Sequence, residues 1–278
     1  MAQSYYYLVA GLPELILDGG KRPVPPAEFC DDISEQIAPE DQTLVKLFRH
    51  PADNYNLASM LDKNGAPFDQ FGNYSGEELE GFVRFPDDAP NYMREFLEAY
   101  KEGKMLFPGY TTEDQLSSLF YYEMLDQPND FVRDWFAFDL NLRNVLVGLN
   151  CRSMAGKAEL EVFSPEHRIV TRNDVAEIVI KSNAPDFSLS QSFPWIEQLV
   201  TLNETDPEEL EKTVDSIRWD TLDDLTVFSY FGIETLLAFC VKLGIVDRWF
   251  KLNPKDGKAK LDRLINELVS GFQVAEEF

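Results

Sequence analysis

The chain has 278 residues, with 49 acidic against 25 basic side chains for a formal charge of −24, and 44% hydrophobic residues that include 21 Phe and 11 Tyr. A chain this apolar and this long buries roughly three quarters of its unfolded surface, which excludes the disordered class. With 15 Gly and 16 Pro it is neither collagen-like nor of low complexity. Lys and Arg are too few for phosphate neutralisation to drive binding, so nucleic acid and anionic lipid are poor partners.

In chain order, Tyr5 to Leu17 is apolar, closes on Asp18-Gly19-Gly20 and runs into Pro23, Pro25 and Pro26. A short strand or extended arm followed by a linker is predicted there. From Ala27 helical spacing takes over. Leu44, Leu47 and Phe48, then Tyr55 and Leu57 to Leu61, predict a helix that Pro51 breaks or kinks after His50. Asn64 to Pro90, rich in Gly, Asp and Pro, predicts a loop holding one helical turn. Asn91 to Tyr100 resumes a helix that Gly103 and Pro108-Gly109 end.

Thr112 as cap and Gln115 three residues on predict a capping box ahead of Leu116, Leu119 and Phe120. Asn129 or Asp130 opens the strongest helix, where Phe131, Trp135, Phe138, Leu142, Val145, Leu146 and Leu149 recur at helical steps. Short helices are predicted over 173–180 and 195–202. Asp206-Pro207-Glu208-Glu209 sets a cap, an N1 proline and first-turn acids in helix-opening order. Asp220 is predicted to cap a long helix through Phe250, and Pro254 to start a final amphipathic helix to Phe272. The fold class is therefore all-α with a short N-terminal extended arm, and no linker divides residues 1–278 into separate domains.

Motifs for chemistry are sparse. There is no phosphate loop, no dinucleotide fingerprint and no nucleophile elbow, and His50 and His167 stand in unrelated contexts. Cys30, Cys151 and Cys240 are far apart in sequence, which predicts free thiols in a reducing cytoplasm. The N-terminus lacks the pattern of an export signal. Val227 to Val246 is apolar but carries Glu234 and Lys242, so a buried helix is expected there rather than a membrane span.

Asp31-Asp32-Ile33-Ser34-Glu35 matches the D-D-x-x-[DE] pattern of magnesium-dependent isoprenoid synthases. It lies after a Pro-rich linker and has no second acidic motif to answer it. Asp220, Asp223 and Asp224 are explained by the helix dipole. Polar residues inside apolar helices carry more information: Asn141, Arg143 and Asn144 must find partners or face a cleft, since burying them unpaired would cost a few kcal/mol. An interhelical hydrogen-bond network is the expected answer.

Asp53-Asn54-Tyr55-Asn56-Leu57 and Asp139-Leu140-Asn141-Leu142-Arg143-Asn144 both set a carboxylate and amides beside apolar neighbours. Ile233-Glu234-Thr235-Leu236-Leu237-Ala238-Phe239, continuing through Arg248-Trp249-Phe250, forms a third such element. At these residues the chain resembles the C/d-type adaptor family of V-type ATPases, whose members join rotor ring to central stalk. Tyr5 to Pro13 and Trp135 to Asn150 look closer still to an uncharacterised bacterial family encoded beside V-type ATPase subunits where an ordinary C-type adaptor is absent.

The resemblance implies three related helical units around a pseudo-threefold axis, approximately 1–110, 111–190 and 191–278. It also implies a non-catalytic cytoplasmic protein without cofactor or metal, held at the membrane through central-stalk subunits and the rotor ring with no direct lipid binding. Asp53, Asn56, Asp139, Asn141, Arg143, Asn144, Glu234 and Arg248 become the candidate groove or interface residues. The chain looks shorter than a typical C-type adaptor and its third unit lacks the Asp/Asn pair, so individual contacts are not carried over. The alternatives are an isoprenoid-type enzyme using Asp31, Asp32 and Glu35, and an acidic helical scaffold unrelated to ATPases.

Overall fold

The structure, a computed structural model, describes residues 3–17, 24–155, 164–169, 171–202 and 207–251. Among them all regular structure is helical. The elements are α1 (Tyr6–Ala10), α2 (Pro26–Ser34), α3 (Pro39–Asp62), α4 (Gly76–Arg84), a 3-10 turn (Pro86–Asp88), α5 (Asn91–Lys101) and α6 (Thr112–Leu125). They continue with α7 (Asp130–Ala155), α8 (Pro165–Arg168), α9 (Asp174–Lys181), α10 (Ile196–Leu202), α11 (Pro207–Thr226) and α12 (Ile233–Lys251). The helix expected from Pro254 lies outside the described residues.

The helix starts follow local chemistry. α2, α3, α8 and α11 each begin on a proline, whose missing N–H is no loss in a first turn. Ser75 with Glu78 and Thr111 with Asp114 form complete capping boxes for α4 and α6. Asn129 Oδ1 accepts from the Val132 N–H (3.0 Å), and Asn173 Oδ1 accepts from the Ala176 N–H (2.9 Å).

Five expectations from the sequence need correction. The N-terminal segment is not a strand: Tyr6–Ala10 is a helix, docked because the buried Tyr5 hydroxyl binds the Asp41 carboxylate and accepts from the Ala38 N–H (3.1 Å). Aromatic strand propensity is a packing preference, and a tertiary contact overrides it. α3 is not broken at Pro51, which leaves only the kink of the two expected outcomes open: one helix runs through it, because buried Phe48, Ala52 and Leu57 on either side hold it despite the missing hydrogen bond.

The 64–90 stretch contains α4, whose capping box and buried Leu79 outweigh its Gly, Asp and Pro neighbours. The capping box of α6 lies one residue earlier than Thr112, since Gln115 is turned instead to accept from the Leu106 N–H (3.0 Å). Finally, Asp220 caps nothing. It sits exposed inside α11, which continues because Leu222 prolongs the buried stripe of Val214 and Ile217, and the chain breaks at 227–232 before α12.

Two apolar cores result. The larger one gathers α2 to α6, the first half of α7, and α12 around Leu57, Met93, Leu116, Val132 and Leu236. The smaller one packs the second half of α7 with α9, α10 and α11 around Leu142, Val145, Phe187, Ile196 and Ile217. α7 feeds both, changing core between Leu140 and Leu142. Where α7 meets α9, Gly148 leaves no room for a side chain: a Cβ there would lie 2.8 Å from Phe187 Cζ. No helix among the described residues is long and apolar enough to cross a membrane.

Candidate functional site: three buried carboxylates on the long helices

Among the described residues three aspartates are buried well inside long helices, Asp53 on α3, Asp139 on α7 and Asp215 on α11, while a fourth, Asp247, is buried near the end of α12 and paired with Lys251 of the same helix (2.7 Å). An ionised carboxylate taken out of water must be paired or fully hydrogen-bonded. The three sites meet that demand differently.

Around Asp53 the donors are chiefly backbone and amide N–H groups. Oδ1 accepts from the backbone N–H groups of Asn73 (2.7 Å) and Tyr74 (3.2 Å), and Oδ2 accepts from Asn73 Nδ2 (2.7 Å). His50 Nδ1 lies 3.1 Å from Oδ2. One turn on, Asn56 pairs with the backbone of Asp69 in both directions, Nδ2 donating to the carbonyl (2.9 Å) and Oδ1 accepting from the N–H (2.8 Å). Arg49 adds bonds to the carbonyls of Phe71 (2.8 Å) and Gly72 (2.9 Å). α3 thereby clamps the 69–74 loop along its whole length. Gly72 is required by close approach, because a Cβ would stand 2.5 Å from Asp53 Oδ1.

Around Asp139 and Asp215 the donors include guanidinium groups, joined at each carboxylate by one neutral donor, Tyr121 or Trp249. Tyr121 donates to Asp139 Oδ2 (2.5 Å), as does Arg143 Nε (2.9 Å), and Arg218 reaches Oδ1 from α11 through Nη2 (3.2 Å). Arg218 Nη1 also touches Asp215 Oδ1 (3.4 Å). Asp215 Oδ2 accepts from Trp249 Nε1 (2.7 Å) and from Arg248 Nη2, and Arg248 Nη1 continues to Glu211 (3.1 Å). One charge-alternating chain therefore joins α6, α7, α11 and α12. Burial pushes the Asp139 carboxyl up, but Arg143 and Arg218 with the Tyr121 hydroxyl outweigh it and hold the pKa at about 2. The same burial, with Asp139 alongside, raises the Tyr121 phenol well above its ordinary value.

The amides of α7 serve a third contact. Asn144 Nδ2 donates to the Thr171 carbonyl (3.2 Å) and to Asn173 Oδ1 (3.2 Å), and Asn173 Nδ2 donates to Asn141 Oδ1 (2.7 Å). Asn173 is also the cap of α9, so these two asparagines set where α9 begins against α7.

Of the residues singled out from sequence, Asp53 and Asn56 share one cluster, Asp139, Arg143 and Arg248 share the ionic chain, and Asn141 and Asn144 share the α9 contact. Glu234 stands apart, its carboxylate folded against Gly232 in the α11–α12 turn. Sequence reasoning missed Asp215, Arg218 and Tyr121; α11 buries Asp215, and α12, singled out through Glu234 and Arg248, buries Asp247 while Glu234 is only half-buried. The signal was present: Asp215 and Arg218, three apart, are bracketed by Val214 and Ile217 on an apolar stripe.

The acidic motif after the linker is dispersed. Asp31, Asp32 and Glu35 are all exposed, and Asp31 is taken by Arg49 Nη1 (2.6 Å). Among the described residues no three His, Cys, Asp or Glu side chains are grouped so as to hold a metal ion. Cys30 and Cys240 are buried thiols with sulfurs 3.3 Å apart between α2 and α12. Arg248 also borders a cleft of about 530 Å³ with Phe68, Asp69, Phe71 and Lys251.

Among the described residues, fold and site together define an all-helical protein whose buried aspartates are bonded within its own chain, Asp53 to the 69–74 loop and Asp139 and Asp215 across helices. The chain belongs to the family described as protein of unknown function (DUF2764), which matches residues 1–272. It is similar to an uncharacterized protein of Chlamydia muridarum (strain MoPn / Nigg), 21% identical over 217 residues, which cover 76% of this chain and 79% of that one. No solved structure matches it.

Proposed function

We propose that this protein is a non-catalytic adaptor of a V-type ATPase, joining central stalk to membrane rotor ring as a cytoplasmic protein held by protein contacts. The observation that carries the reading is the recurrence of a buried aspartate with polar partners on α3, α7 and α11. Two of the three lie in the segments that resemble the C/d-type adaptors, and Asp215 with Arg218 supplies a third on α11. Three related units around a pseudo-threefold axis would each hold one of these helices, the third unit carrying a further buried aspartate, Asp247, on α12.

The internal saturation of these carboxylates also favours a rigid scaffold. A part that passes torque between ring and stalk needs helices that do not slide, and cross-helix ionic and amide bonds resist sliding. The isoprenoid alternative draws no comparable support, since Asp31 is engaged by Arg49 and Asp31, Asp32 and Glu35 are all exposed.

The test is isolation of the intact V-type complex from the native cell through a tag on a stalk protein. The chain is expected in the purified complex at fixed stoichiometry, and in subcomplexes that keep stalk and ring together. A complete, active complex that lacks the chain would overturn the reading.

A further inference from the structure

An aromatic surface stands out on the outside of the molecule. Tyr7 and Phe228 are 90% and 88% exposed, Tyr230 is 70% exposed, and Tyr6 and Val227 are more than half exposed. They come from two segments that the fold ties together: the Tyr5 N–H donates to the Phe231 carbonyl (2.7 Å), and the rings of Tyr6 and Phe231 meet at 4.8 Å. α1 thus lies against the 227–232 turn, and neither segment's outward rings find cover among the described residues. The turn is also braced from within, where Thr235 Oγ1 donates to the Ser229 carbonyl. Large rings held in the open on a braced turn are a contact core in waiting, because isolated surface aromatics are common but a cluster of them is not.

The charge around the cluster says what kind of partner fits. Residues 3–17 and 219–241 contain neither Lys nor Arg, while Glu14, Asp220, Asp223, Asp224 and Glu234 all fall within them. Asp220, Asp223 and Asp224 are exposed on the last turns of α11, leading directly into the aromatic turn. Of the two cations that flank the 219–241 stretch, Arg218 is turned inward onto Asp139 and Asp215, and Lys242 is turned back on Asp223 (2.6 Å) and over the Trp219 ring (4.6 Å). An apolar centre with a one-sign acidic rim repels an anionic bilayer. It also repels a second copy, since a two-fold contact through this face would set the two acidic rims against each other.

We infer that the Tyr6, Tyr7, Phe228 and Tyr230 surface docks a basic amphipathic segment of a protein partner, its apolar face on the rings and its Lys or Arg on Asp220 and Asp224. The inference rests on the adaptor reading only for the partner's identity and deepens it by naming the face such an adaptor would use. The surface itself stands on exposure and charge.

The full chain is titrated by fluorescence anisotropy with three 18-residue peptides: one with Leu and Lys at helical spacing, one with Ser replacing every Leu, and one with Glu replacing every Lys. The Leu/Lys peptide is expected to bind at least tenfold more tightly than the Ser/Lys peptide, and the Leu/Glu peptide not to bind. Tyr7→Ser/Phe228→Ser/Tyr230→Ser should remove the preference for Leu over Ser. Phe228→Ser alone should weaken it severalfold, which keeps the test valid if the triple variant does not fold. Asp220→Asn/Asp224→Asn should flatten the salt dependence of Leu/Lys binding.

Equal affinity for the Leu/Lys and Ser/Lys peptides would overturn the inference, because charge alone would then explain binding. So would a preference unchanged in the Ser variants, a concentration-dependent dimer abolished by Phe228→Ser, or binding to vesicles of phosphatidylglycerol and phosphatidylcholine that the variant removes. Presence or absence of the chain in a V-type complex decides none of these outcomes, so the two proposals fail separately.

Discussion

The Asp53 cluster and the Asp139–Asp215 chain solve one problem in two ways. At Asp53 a buried carboxylate is met by backbone and amide N–H groups, all contributed by the 69–74 loop and α3 itself. At Asp139 and Asp215 the compensation is guanidinium, delivered across helices by Arg218 and Arg248. The amide solution is rigid in shape, since each donor is fixed by the loop backbone and Gly72 leaves no tolerance. The ionic solution is tolerant in shape but depends on charge state. Deleting one partner of a buried ion pair leaves the other charge stranded, whereas deleting one of several neutral donors loses a single hydrogen bond.

That contrast predicts an order of effects. The largest should come from Arg218→Met, which strips a partner from two buried acids at once. We expect a loss of about 3–5 kcal/mol in urea unfolding, with Arg218→Met/Asp139→Asn recovering part of it. Strict additivity in that double mutant would deny the coupling.

Next comes the Asp53 cluster. Asp53→Ala should cost about 2–3 kcal/mol by leaving the Asn73 and Tyr74 N–H groups without an acceptor. Hydrogen exchange at those two amides should accelerate while the amides of α11 stay protected. Gly72→Ala should cost about 1–3 kcal/mol by overpacking against Asp53 Oδ1, with its exchange signature confined to the same loop. If Gly72→Ala were neutral, the loop would be free to move away and the clamp would not be rigid.

The pH dependence separates the two clusters further. Asp139 has a folded pKa of about 2 against an ordinary 3.8, so its proton is bound more weakly in the folded state than in the unfolded one. Its contribution, about 2 kcal/mol, is fully present above the unfolded pKa and is lost as pH falls through the folded one. Comparing wild type with Asp139→Asn by denaturant melts at pH 5 and pH 2.5, the gap between them should narrow at the lower pH. A constant gap would mean that Asp139 does not titrate in that window. The smallest effect belongs to Arg143→Met: its side chain is 54% exposed and Tyr121 and Arg218 remain on the buried Asp139, so the loss should be about 1 kcal/mol.

How much of this was legible in the sequence varies with the range of the interaction concerned. Helical periodicity placed α5, α7, α9 and α10 within a residue or two, since the apolar stripe of a helix is written in nearest neighbours three and four apart. The Pro207 start of α11 was legible for the same local reason. Polar residues on an apolar helix marked Asn141, Arg143 and Asn144 as groups in need of partners, and each is hydrogen-bonded inside the chain; Asp53, Asn56 and Asp139, singled out through the resemblance, are buried and hydrogen-bonded as well. The identity of those partners was not legible. Arg218 is 79 residues from Asp139 and Asn73 is 20 from Asp53, and no local pattern couples positions so far apart.

Residue by residue, then, the sequence by itself determined the helical class, the acidic surface and which polar groups could not be left alone. Tertiary structure alone decided that Pro51 sits inside a continuous helix, that the tyrosine-rich N-terminus coils against Asp41 rather than extending, and that Asp215 of α11 is buried and paired with Arg218 and Arg248. Each of those outcomes sets a local preference of about 1–3 kcal/mol against packing and pairing with distant residues. The distant terms are larger where burial removes water, so local preference yields there and prevails at the exposed helix ends.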